Sequence, residues 1–112
     1  MLNRSLLIVR AKEPFVKWIN GLPDPLTPTE TLETVNEDSS AYLLPEYDDD
    51  EERDAILEEV FEIIFRDLLN AWWTDDRAWP QKRTLPLFRS WFELDWHSII
   101  DDLVDGPLID EG

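Results

Sequence analysis

His97 is the only histidine in the chain, and it sits in WFELDWHSII, residues 91–100, two residues after Asp95 and four before Asp101. In an extended segment side chains alternate between faces, so Glu93, Asp95, His97 and Asp101 would share one. A carboxylate beside an imidazole can orient it as a general base or hold it as a metal ligand. Two facts weigh against either chemistry. Nucleophilic catalysis needs a hydroxyl on the same face, and Ser98 would point to the opposite one. Metal binding usually wants a second imidazole, which the chain lacks. The plainer reading is a surface-strand histidine with carboxylate neighbours, and a pocket around His97, Asp95 and Asp101 stays as the alternative. No catalytic residue, metal site or cofactor is expected.

The second candidate is YDDDEERDAILEE. Between Asp48 and Glu62 lie nine acids and one base. A calcium loop of the EF-hand type needs a glycine at its sixth position so that the oxygens curl round one point, and there is none here. Acids in the first turns of a helix interact favourably with its positive end and cap free amides. Farther along, Glu58, Glu59 and Glu62 would form a solvated face. Asp48, Asp49, Asp50, Glu58, Glu59 and Glu62 are therefore candidate contacts for a basic partner. Six tryptophans form a third feature. Most occupy apolar positions of helices or strands, as core residues do. Trp79 instead lies in RAWPQKR beside Lys82 and Arg83, and reads equally as an interface anchor or as core.

Other chemistries find little support. With 26 acids, a carboxylate pair at glycosidase spacing is weak evidence. Three glycines in 112 residues leave little with which to cradle a phosphate, and no GxSxG occurs. The absence of cysteine removes disulfides, thiolate nucleophiles and Cys-ligated metals. Net charge is −16, divided as +3 over residues 1–20, −14 over 21–62 and −5 over 63–112. Such a field repels nucleic acid and anionic membranes, so neither is an expected partner. No apolar run approaches bilayer length, and MLNRSLLIVRAKEP is unsuitably flanked for a signal peptide; a cytoplasmic bacterial-type protein is the expectation.

These residues must be positioned by a small set of elements. The length fits one domain, residues 1–112, with a short tail at 105–112. Residues 2–9, LNRSLLIV, read as a first strand buried on part of both faces. EPFVKWINGLP reads as a short helix with Pro14 in its first turn and Gly21 as its stop. The Pro- and Thr-rich stretch that follows is a long connection, with some extended structure expected at Leu32 to Val35. Ala41 to Leu44 reads as a second strand ended by Pro45. From Asp48 to about Trp73 the pattern is helical: Ile56, Leu57, Val60, Phe61, Ile64, Leu68 and Trp72 recur at three- and four-residue spacing, and Ile63, Phe65 and Leu69 widen the stripe. Thr74-Asp75-Asp76 caps a further turn, and Thr84 to Phe92 reads as another short helix.

Beyond Phe92 periodicity does not choose. As a strand, Phe92, Leu94, Trp96, Ser98 and Ile100 share a face; as a helix, Phe88, Trp91, Phe92, Trp96, Ile99, Ile100 and Leu103 make a stripe. VRAKEPFVKWI, AYLLPEY, AWPQKR, SWFELDWHS and IIDDL, in that order, resemble a small bacterial protein family of unassigned function. The shared marks are Pro14-Phe15 with Trp18, Tyr42-Leu43-Leu44-Pro45, Trp79-Pro80, Trp91-Phe92, His97-Ser98 and Asp102-Leu103. The resemblance implies a strand from Glu93 to about Asp102, and it carries no activity.

The expected fold is α+β: a single small domain with about three strands in one sheet, covered by one long acidic helix and two shorter ones. The expected function is a non-enzymatic interaction or regulatory module that docks a basic partner through its acidic 21–62 region. An extreme form is an immunity-type inhibitor that mimics nucleic-acid charge. The alternative is an enzyme or small-ligand binder using the His97 pocket. Either a monomer or a homodimer fits.

Overall fold

The computed structural model describes residues 3–24, 29–101 and 103, so the tail expected at 105–112 lies outside the described residues. Three strands, β1 (Arg4–Ala11), β2 (Ser40–Pro45) and β3 (Phe92–His97), form one antiparallel sheet in the order β2-β1-β3. The helices are α1 (Glu13–Asn20), α2 (Leu32–Val35), α3 (Asp50–Trp72) and α4 (Leu85–Trp91), with a 3₁₀ turn at Asp76–Ala78. This is the expected α+β domain.

Burial along β1 alternates strictly: Ser5, Leu7, Val9 and Ala11 are buried, and the residues between them are not. The register places Leu44 opposite Ser5, Tyr42 and Trp96 opposite Leu7, Leu94 opposite Val9 and Phe92 opposite Ala11. Residues paired across strands point to the same face, so these form the covered side of the sheet. Against them α3 contributes Leu57, Ile64, Phe65 and Leu69, α1 contributes Phe15, Val16 and Ile19, and α4 contributes Phe88. Aromatic rings join the layers. Phe65 lies 5.5–5.6 Å from Phe88, Trp91 and Phe92, and Phe15 lies 4.7 Å from Phe92. Each such side chain, fully buried, contributes about 1.5–3 kcal/mol relative to exposure.

Local chemistry fixes where the helices start. Asp49 Oδ1 accepts the Glu52 amide at 2.8 Å, and Glu52 Oε2 accepts the Asp48 amide at 3.0 Å, so part of the acidic run is spent on capping α3. Thr84 caps α4 by accepting from the Leu87 amide, with Pro86 in the first turn.

Three expectations are corrected. Leu32–Val35 is a helical turn, not extended chain. Thr31 Oγ1 accepts the Thr34 amide at 3.2 Å while Thr34 Oγ1 accepts the Thr31 amide at 2.8 Å, a reciprocal cap that favours helix. β3 ends at His97 and does not run to Asp102, because its ladder with β1 stops at Leu6↔His97. Ile63 does not widen the buried stripe of α3: it is 68% exposed.

Candidate functional site

The uncovered face of the sheet carries the residues first singled out. Arg10 on β1 stands opposite Glu93, Ile8 opposite Asp95 and Leu6 opposite His97. Asp95 Oδ2 accepts from Arg10 Nη1 at 3.1 Å and lies 3.2 Å from His97 Nε2. Asp95 and His97 do share a face, as alternation requires. The Arg10 hydrogen bond, seconded by that of His97, holds the Asp95 carboxyl below the usual carboxylate range. Asp101 lies past the end of β3, so the alternation that would have placed it beside His97 does not reach it. Ser98 lies past that end too.

The trio is a surface network. Its side chains keep between 38% and 48% of their exposure, and none of three cavities lined by described residues, of about 300, 420 and 200 Å³, includes Asp95, His97 or Asp101. Among the described residues, what surrounds the imidazole is the Asp95 carboxylate on the open strand surface. No group of three His, Asp or Glu residues gathers as a metal site among the described residues.

The acidic run divides in two. Asp49 caps α3, Asp50 pairs with Arg53 at 3.3 Å, and Glu62 pairs with the half-buried Arg83 at 2.9 Å. Asp54, not singled out above, is shared between Arg53 and Arg89 at 3.4 and 3.6 Å. Asp48, Glu58 and Glu59 are exposed, and among the described residues their carboxylates have no ion-pair partner; Glu51 joins them. Helical spacing sets Glu51, Ala55, Glu58 and Glu62 along one line, and Glu59, Ile63 and Arg66 along the next. The exposed side chain of Ile63 thus has the carboxylate of Glu59 one turn before it and the exposed Arg66 one turn after it.

Trp79 is resolved as core. It is 8% exposed, its Nε1 donates to the Trp73 carbonyl at 2.7 Å, and the Arg83 guanidinium lies 5.9 Å from its ring centroid. Of the two readings the sequence leaves open for Trp79, this burial matches the core one. The preceding 3₁₀ turn is held by Arg77, which grips Asp75 at 2.8 Å and lowers its carboxyl to about 2.

Sequence reasoning passed over one feature, a cleft of about 300 Å³ between the β1–β2 side of the sheet and the last turn of α3. Its lining comes from residues 9–15, 35–40, 68–72 and 92, which no local pattern links.

No protein-family model, no curated protein and no solved structure matches this chain, so the reading of its function rests on its own residues.

Proposed function

We propose that this protein is a non-enzymatic interaction module that docks a basic protein through the exposed face of α3. The observation that carries the reading is the set of exposed carboxylates without an ion-pair partner among the described residues at Glu51, Glu58 and Glu59, with exposed Ile63 one turn beyond Glu59; Arg53 and Arg83 are engaged elsewhere, and Arg66 marks the far limit of the acidic surface. Carboxylates of this kind steer a basic partner in from a distance, and an apolar residue at their border supplies contact area once water is expelled. Asp48 extends the charged surface beyond the helix start. Asp49, Asp50 and Glu62 are occupied within the fold and serve the helix more than a partner.

The test is capture of a basic protein by the full chain at about 0.15 M and about 1 M salt, where the Debye length falls from about 8 Å to about 3 Å. The complex should form at the lower salt, wash off at the higher, and be lost in Glu58→Lys/Glu59→Lys. A complex that survives both the salt and the double reversal overturns the reading.

A further inference from the structure

We propose that the cleft between the sheet and the last turn of α3 binds a small organic cation with an apolar body, of the arylalkylamine class. At about 300 Å³ the cleft lies at the lower end of the range for small-molecule sites, roughly 300–1,000 Å³. Its floor is apolar, made by the buried side chains of Val9, Ala11, Phe15 and Phe92, and Trp72 of α3 stands beside them.

The polar groups at the rim decide the charge of the occupant. Asn36 is spent on the backbone: its Oδ1 accepts the Ala11 amide at 2.8 Å and its Nδ2 donates to the Ala11 carbonyl at 3.1 Å. Ser39 Oγ donates to the Asn36 carbonyl at 3.4 Å. Ser40 is engaged with the Tyr42 hydroxyl, which leaves Asp38, exposed at the rim, with no hydrogen-bond or ion-pair partner among the described residues. Beside it α3 ends after 23 residues with no basic side chain in its last turn. The C-terminus of a helix carries roughly half a negative charge from its aligned peptides, and here it meets the neutral indole N–H of Trp79, which donates to the Trp73 carbonyl, and no basic side chain of its own last turn. Among the described residues no Lys, Arg or His lines the cleft. Two negative sources over an apolar floor repel an anion and favour an ammonium group, which the face of Trp72 can also accept. The site is separate from the docking face, since Ala71 lies eight residues beyond Ile63 on α3, about 12 Å along its axis, and 13 beyond Glu58, about 20 Å.

The experiment titrates the full chain with 2-phenylethylamine, and with 2-phenylethanol and 3-phenylpropionate as neutral and anionic analogues of similar size, by calorimetry and by amide chemical shifts. Two variants at exposed positions accompany it: Asp38→Asn removes the rim charge, and Ala71→Phe fills the opening. Thermal unfolding confirms that both remain folded. The amine should bind saturably to the wild type, at least about tenfold more tightly than either analogue, and at least about tenfold more tightly than to Asp38→Asn. Ala71→Phe should abolish binding. Absence of saturable amine binding overturns the site, as does binding that Ala71→Phe leaves unchanged. Equal affinity for the alcohol or the acid, or for Asp38→Asn, overturns its cation selectivity.

Discussion

Arg10 on β1 and Asp95 on β3 meet across the open face of the sheet, Nη1 to Oδ2 at 3.1 Å, and His97 approaches the same oxygen. The contact ties the central strand to an edge strand on the face that no helix among the described residues covers. Because the Asp95 carboxyl is held below its usual range, its stabilising effect is fully present above the unfolded value of about 4 and is lost as pH falls through the folded value.

Asp95→Asn should therefore be less stable than wild type at pH 6, with the gap closing below about pH 4 as the wild-type carboxylate takes up its proton. Urea unfolding at a series of pH values reads this directly. A gap that stays constant down to pH 2.5 would show that the charge of Asp95 is not its source.

Tyr42 gives the opposite limb. Its hydroxyl donates to Asp67 Oδ2 at 2.7 Å, joining β2 to α3, and burial followed by this carboxylate pushes the phenol above its ordinary range. The unfolded chain releases that proton first, so the Tyr42 contribution is complete below about pH 10 and drains away above it. Tyr42→Phe should lose about 0.5–1.5 kcal/mol at neutral pH, with the difference from wild type narrowing above pH 10. If the alkaline limbs of the two proteins run parallel, the proposed coupling is wrong.

Neighbouring positions on α3 should behave very differently. Phe65 is fully buried among Phe88, Trp91 and Phe92, whereas Ile63 faces solvent. Phe65→Ala should cost about 3–5 kcal/mol, because a ring is lost from a packed centre that can collapse only in part. Ile63→Ala should stay within about 0.5 kcal/mol of wild type while weakening capture of a basic partner. Equilibrium unfolding of the pair decides the first point, and a stability loss at Ile63 comparable to that at Phe65 would contradict the packing described.

Much of the architecture is determined by sequence alone, for physical reasons that act locally. The period of α3 is written in Leu57, Ile64 and Leu69, its cap in Asp49, and the strand character of β1 and β2 in short apolar runs bounded by polar residues or proline. The helical turn at Leu32–Val35 is equally local, since Thr31 and Thr34 stand at the spacing of a reciprocal cap. The charge of the molecule and the carboxylate-rich face of α3 are likewise sequence properties, because charge does not depend on packing.

Other features needed the tertiary structure. Phe92 to His97 fit two periods equally, and only the ladder with β1 makes them a strand and ends it at Leu6↔His97. Trp79 stands in a polar stretch, yet the Trp73 carbonyl and Arg83 draw its ring into the core. Which carboxylates are free was also undecided, because the arginines that neutralise Asp54 and Glu62 come from α4 and the loop before it. The cleft of Asp38 and Trp72 is the clearest case. Asn36 fastens the loop on one side of it to Ala11, the last turn of α3 forms the other side, and residues up to 83 positions apart line it. Long-range placement of this kind follows from burying the aromatic core as a whole, and no window of sequence contains it.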